Sequence, residues 1–300
     1  MLQLVIKRNW LAEVNDRSSH DVPTPTMGGV AIWLLTLSYL VYLAIEGISP
    51  GWEIVIACCL VGVVGLWDDL RPLSARLRLG TQTVAAGLII TALLPAEPLV
   101  ISLLFVVAVV WFTNLFNFMD GIDGIAASQA LVFCAGVEVL SGGLTGWSGE
   151  VVWVLLGASL AFLAFNWPPA KIFMGDVGSG FLGLAIAMIA IQAWTSEQLP
   201  LVACLILLAG FWFDASYTLC VRIVTRQPFT EAHRSHLYQR LASRKGHLWT
   251  TNAFLAFALL WLLPIAWLSL KFPAWQLAVL TVALVPLAIL CYKFRAGMRS

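Results

Sequence analysis

Long apolar runs, cut by short polar breaks, recur along the whole chain. Ten are visible, at 28–46, 51–67, 79–95, 98–117, 124–140, 151–166, 178–195, 199–222, 249–270 and 273–292. Most approach the roughly 20 residues that a helix needs to cross a ~30 Å hydrocarbon core. The runs are continuous rather than alternating with period two, so they predict helices and not barrel strands. The expected fold class is all-α, a polytopic integral membrane protein with about ten transmembrane helices in one domain over 1–300. Two polar stretches stand out, an arm at 1–27 and a loop at 223–248. Residues 1–16 are too short and too polar to span. Leu2, Val5, Ile6 and Leu11 there read either as an interfacial apolar stripe or as the tail of a longer span. No cleavable signal peptide is evident, because the first apolar run starts only after the arm.

Composition supports this pattern: 60% of residues are hydrophobic, 11% are charged, and mean hydropathy is +0.89. A soluble domain of this length is excluded. The six cysteines match no zinc or redox spacing and read as small packing residues. Trp52, Trp67, Trp111, Trp167, Trp194, Trp249 and Trp275 fall near predicted span ends, where an amphipathic ring favours the headgroup level.

Charge assigns a side to each break. With ten spans both termini share a face, and that face collects Lys7, Arg8, Arg17, Arg71, Arg76, Arg78, Lys171, Arg222, Arg226, Arg234, Arg240, Arg244, Lys245, Lys293, Arg295 and Arg299, leaving only Lys271 opposite. The positive-inside rule makes it cytoplasmic. Glu46, Glu53, Glu97, Glu138, Glu150 and Glu197 lie at the other face, whereas the aspartates lie on or toward the basic one. Focal carboxylates ringed by Arg and Lys suit an anionic substrate that meets a metal.

Five of these aspartates end or resume apolar segments: Asp68 and Asp69 in GLWDDL, Asp120 and Asp123 in NLFNFMDGIDGIA, and Asp176 in NWPPAKIFMGDVGSG. An ionisable group at a span edge is a functional candidate by default, and several acids facing one spot repel unless a cation sits among them. Adjacent Asp68 and Asp69 cannot point the same way on a helix, so one faces the site while the other pairs with a base such as Arg71 or Arg78. Asn114, Asn117, Asp120 and Asp123 step by three and share a face if the helix continues, though Gly121 and Gly124 suggest a break. The GDVGS turn opens a helix whose first amides can hold phosphate oxygens, with Asp176 meeting a hard cation. DVPTPTMGG at 21–29 is a rigid, turn-rich lead to the first span. Asp214, inside the eighth run, reads equally as a structural buried acid or a site residue. EAHRSHLYQRL at 231–241 brings His233, Arg234 and His236. Zinc would need further N or S ligands nearby, so phosphate contact is the better reading.

Taken together, PTPTMGG, the Asp-Asp pair, NxxNxxDGIDG, FMGDVGS and a late His-containing loop resemble the polyprenyl-phosphate N-acetylhexosamine-1-phosphate transferases, the MraY/WecA-like glycosyltransferase family 4, over about residues 17–245. The resemblance implies transfer of N-acetylhexosamine-1-phosphate from a UDP-sugar to undecaprenyl phosphate, with release of UMP. It implies Mg²⁺, with Mn²⁺ as a substitute, at the cytoplasmic face of a bacterial inner membrane. It makes Asp176 the metal ligand, and Asp68 and Asp69 the pair that binds or deprotonates the lipid phosphate. Asn117, Asp120 and Asp123 resemble the run at the nucleotide and pyrophosphate, with Asn114, Asn166 and Lys171 as further substrate-binding residues beside His233, Arg234 and His236. A homodimer is suggested and no nucleic-acid partner. HRSHLYQRL replaces the triple-His run of the muramoyl-pentapeptide branch, which points to the WbpL/WecA-like branch that initiates O-antigen. RSSHDVPTP agrees with that branch while TMGG resembles MraY, and the family's first span is not visible. Direct attack and a two-step path through an aspartyl-phosphate both fit. The competing classes are a transporter with an intramembrane acidic site and a non-catalytic lipid-sugar-binding relative.

Overall fold

A computed structural model of the protein describes residues 11–12, 24–48, 51–228 and 233–299. Most of the 1–27 arm, including His20 and Leu2, Val5 and Ile6 of the proposed interfacial stripe, lies outside them. Strands β1 (Leu11–Ala12) and β2 (Thr24–Pro25) pair antiparallel. The rest is helical: α1 (Gly29–Ile45), α2 (Trp52–Leu70), α3 (Ala75–Leu93), α4 (Leu99–Met119), α5 (Ile125–Ser141), α6 (Trp147–Asn166), α7 (Asp176–Thr195), α8 (Leu201–Leu207), α9 (Ala209–Val224), α10 (Leu237–Lys245), α11 (His247–Phe257), α12 (Leu263–Lys271) and α13 (Gln276–Lys293).

Every apolar run falls on helix, as an all-α polytopic membrane protein requires. Among the described residues five helical stretches are long and apolar enough to cross a membrane: α4, α6, α7, the α11–α12 stretch His247–Lys271, and Pro273–Lys293; a bent pair brings the total to six. The first and fifth runs form α1 and α5, which are apolar but shorter. The second and third carry charge at one end, with Asp68 and Asp69 on α2 and Arg76 and Arg78 on α3. The eighth run is not one rod. It breaks at Leu208 into α8 and α9, which meet at 77°. Helix carbonyls freed by such a bend need partners in a medium without water. Trp212 Nε1 donates to Leu205 O at 2.7 Å and Gln129 Nε2 to Leu207 O at 3.1 Å. Between α11 and α12 a π turn at Ala258–Leu262 precedes Pro264, a residue that has no backbone N–H to give. Trp111 sits well inside α4, not at its end, and donates to Ser216 Oγ.

Helix α7 is the axis of the bundle. Every residue from Val177 to Ile191 is buried, as expected of a helix apolar on all sides, and α1, α2, α3 and α4 pack against it. Helix α1 and the segment before it approach the start of α7 closely. Gly28 N and Gly29 N donate to Phe173 O and Met174 O, both at 2.9 Å, and Phe173 N donates to Pro25 O at 2.7 Å. The PTPTMGG segment therefore runs alongside FMGD like a strand. A Cβ on Gly178 would lie 2.6 Å from Gly29 Cα, so neither position has room for a side chain. Gly178→Val should lower stability by about 1–3 kcal/mol through overpacking, read as a lower unfolding midpoint in detergent, and should reduce any activity that needs the first turn of α7.

Candidate active site

The start of α7, the end of α2 and the end of α4 meet at one end of the bundle, which brings the five sequence-selected aspartates together. Each is then used differently. Asp69 is not free for a substrate: its Oδ1 accepts from Asp176 N at 2.8 Å and its Oδ2 from Val177 N at 3.1 Å. A carboxylate there satisfies amides that a helix start leaves open and suits the positive end of its dipole. The expectation that these amides hold phosphate oxygens is therefore corrected, because Asp69 already occupies them. Gly175, at φ +78°, makes the approach possible; a Cβ there would lie 2.6 Å from Asp69 Oδ2.

Asp68 points the other way. It accepts from Leu73 N at 2.6 Å and pairs with Arg78 at 2.7 Å. The same guanidinium reaches Asp176 Oδ2 at 3.3 Å, while Asn117 Nδ2 donates to Asp176 Oδ1 at 2.7 Å and also contacts Ser179 Oγ at 3.2 Å. Asn117 and Asp176 thus form a wall with a cavity on each side. The larger, about 330 Å³, is lined by Asp69, Asp120, Asp123, Asn166, Gln239 and His247 as well as the wall. The smaller, about 70 Å³, has Asp68, Arg78, Thr81, Gln82 and Asn114 around it. Asn114 Nδ2 donates to Gln82 Oε1 at 2.6 Å.

The helix carrying Asn114 and Asn117 does stop, at Met119, and resumes at Ile125 after Gly124 (φ +76°). Asp120 and Asp123 therefore leave the face they would share on a continuous helix. Burial raises the Asp120 carboxyl well above the usual range, and the neighbouring charges of Asp176, Asp69 and Asp123 push the same way. Its carboxylate receives no hydrogen bond among the described residues. A cation would relieve this crowding. No set of three or more His, Cys, Asp or Glu side chains among the described residues forms a metal cage. Mg²⁺ does not require one, since it usually takes one or two carboxylates and completes its shell with water and substrate phosphates. Asp176 and Asp120 fit that donor set. A cation there would compete with the proton for Asp120, and a rise in pH through its raised range would free the carboxylate. The Mg²⁺ concentration for half-maximal effect should then fall as pH rises, and a titration at several pH values checks the sign.

Asn166 is a brace, with Oδ1 accepting from Gly124 N at 2.9 Å and Nδ2 donating to Ile172 O at 2.8 Å. Lys171 is exposed and lines neither cavity. The late loop departs furthest from expectation. His233, Arg234 and His236 line neither cavity, and Arg234 is exposed. His233 bonds Ser235 Oγ at 2.9 Å and stacks on His236, with ring centroids 5.0 Å apart. Burial, then the neighbouring His236 and Arg222, push its pKa down to about 4, so it is a neutral ring at pH 7. Nor is the 223–248 stretch a plain loop, for it contains α10. Asp214 on α9 receives Leu237 N at 2.8 Å and Tyr238 N at 3.0 Å, which resolves its role as the anchor of α10. Tyr238 in turn donates to Phe118 O at 2.8 Å. This docking carries Gln239, not the histidines, to the cavity. Arg78, Gln82, Gln239 and His247 are the additions that sequence reasoning did not select as site residues. The ion pair of an Asp-Asp residue with Arg78 was its only foreshadowing.

The bundle of apolar helices is that of a multi-pass membrane protein with an acidic, divided cavity at one end. The family pattern described as glycosyl transferase family 4 matches residues 52–194. Among similar proteins, the probable undecaprenyl-phosphate N-acetylglucosaminyl 1-phosphate transferase of Bacillus subtilis is 29% identical over 259 residues, 80% of this chain and 71% of that protein. The decaprenyl-phosphate N-acetylglucosaminephosphotransferase of Mycobacterium leprae is 29% identical over 277 residues, 77% and 69% of the two chains. A phospho-N-acetylmuramoyl-pentapeptide-transferase of Moorella thermoacetica is 35% identical over 215 residues, 59% and 64% of the two chains. Over residues 52–194 the chain thus matches the glycosyl transferase family 4 pattern, and over most of its length it is similar to proteins named as polyprenyl-phosphate sugar-1-phosphate transferases.

Proposed function

We propose that the protein transfers N-acetylhexosamine-1-phosphate from a UDP-sugar to undecaprenyl phosphate at the cytoplasmic face of the bacterial inner membrane. The products are undecaprenyl-diphosphate-sugar and UMP, and the step initiates O-antigen or a related cell-surface polysaccharide. The observation that carries this reading is the Asn117–Asp176 wall between two polar cavities, since a reaction that joins two phosphate-bearing substrates needs two places for them. The larger cavity takes the nucleotide sugar. The smaller, with Asp68 and Arg78, takes the lipid phosphate.

Phosphoryl transfer needs chiefly alignment and charge stabilisation. Mg²⁺, when bound, neutralises charge on the diphosphate. Asp176 and Asp120 would hold it, Asn117 fixes the Asp176 carboxylate, and Arg78 offers a cationic donor to the acceptor phosphate once released from Asp176. The basic residues around the same end of the bundle support its placement toward the cytoplasm.

The test is UMP release by detergent-purified protein given undecaprenyl phosphate, Mg²⁺ and a panel of UDP-N-acetylhexosamines, with EDTA as control. Release that requires both lipid and metal supports the transferase, and the panel names the sugar. No release with any sugar, from protein shown to be folded, counts against it. Movement of substrate across vesicles without UMP release would favour a transporter instead.

A further inference from the structure

The wall of the larger cavity is electrically lopsided. Asp69, Asp120, Asp123 and Asp176 all line it, and His247 is the one basic side chain among the described residues that does so. An anionic ligand entering there meets carboxylates on several sides, and like charges at such range repel. Any protein-borne positive charge at that surface therefore acts at close quarters on whatever phosphate is bound.

His247 is also built to hold one orientation. It opens α11, and its Nδ1 lies 3.1 Å from Asp123 Oδ1 and 3.5 Å from Asp123 N. Both contacts fall on Nδ1, so the Asp123 backbone and carboxylate hold that edge of the ring and set its orientation. Asp123 is itself held, with Oδ2 accepting from Ala170 N at 3.0 Å and its carbonyl accepting from Thr251 Oγ1 at 2.7 Å. Two bonds thus tie the start of α11 to the DGIDG turn. Asp123 engages one ring nitrogen and leaves Nε2 to a ligand. An imidazole oriented by a carboxylate and placed on a cavity wall is a preorganised hydrogen-bond donor, spending little entropy on binding.

We propose that His247 binds the nucleotide phosphate in the larger cavity, its Nε2–H donating to a phosphate oxygen while Asp123 orients the ring from the Nδ1 side. This rests on the transferase reading and names a residue that grips the donor substrate within it. His247 takes the role that sequence reasoning gave to His233 and His236.

The experiment is calorimetric binding of UMP and of uridine to the full chain in detergent with Mg²⁺. The ratio of the two affinities isolates what the phosphate contributes. In His247→Gln that ratio should shrink by about tenfold, the scale of one charge-assisted hydrogen bond, with uridine binding nearly unchanged. His247→Arg, which supplies a hydrogen-bond donor at the same place, should restore most of the ratio. Equal loss of UMP and uridine affinity, or an unchanged ratio in His247→Gln, would overturn the assignment. So would His247→Arg behaving like the Gln variant, since that is what a purely structural histidine predicts. Wild-type protein that binds neither compound would instead overturn the transferase reading itself.

Discussion

Asp176→Asn should cut lipid-dependent UMP release by about a thousandfold or more, a loss of roughly 4 kcal/mol in transition-state stabilisation, with the unfolding midpoint close to that of wild type. The side chain sits between the two cavities. Asn117 holds one oxygen and Arg78 approaches the other, and both cavities open onto it. The amide preserves shape and removes the charge, so a folded but inactive protein is the expected pattern. Release near the wild-type rate would sink the assignment of Asp176 as metal ligand.

Asp69→Ala should show the opposite balance, with a clear stability loss of about 2 kcal/mol from stranding two amides at a helix start. Activity should fall with it, because the first turn of α7 carries Asp176. Asp69→Asn keeps an acceptor and should recover much of both. That comparison separates a residue that positions the site from one that takes part in the chemistry. If Asp69→Asn melts like wild type yet is inactive, Asp69 belongs with the reacting groups, as the family resemblance implies, and its contact with α7 is secondary. Unfolding midpoints and UMP release measured on the same preparations decide the matter.

The helices were legible because continuous apolar runs leave lipid-facing backbone no other solution. Their interruptions were harder to see. Nothing within the run at 199–222 distinguishes the bend at Leu208 from straight helix, since its stability comes from Gln129 on another helix as well as from Trp212. The acidic cluster was legible for an energetic reason, as Asp120 has no cheap position at the end of an apolar segment. The roles within the cluster were not. Asp69 beside Asp68 looks equivalent in sequence, and only the packing of Gly175 against it shows that one carboxylate fastens a helix while the other meets Arg78. The late loop misled for a similar reason. Histidine, arginine and serine in a short run have the composition of a phosphate site, but Asp214, far upstream, engages the backbone there. His247 stands alone in sequence and gains meaning only when α11 is laid against Asp123.

The partition formed by Asn117 and Asp176 bears on how the two substrates compete, or do not. Separate chambers let donor and acceptor reside together, so initial-rate plots at varied concentrations of each should intersect rather than run parallel. A nucleoside inhibitor lodged in the larger chamber would not be displaced by raising the lipid. A molecule that bridges the partition would gain from both footholds, its second contact made at the high local concentration that a short tether provides.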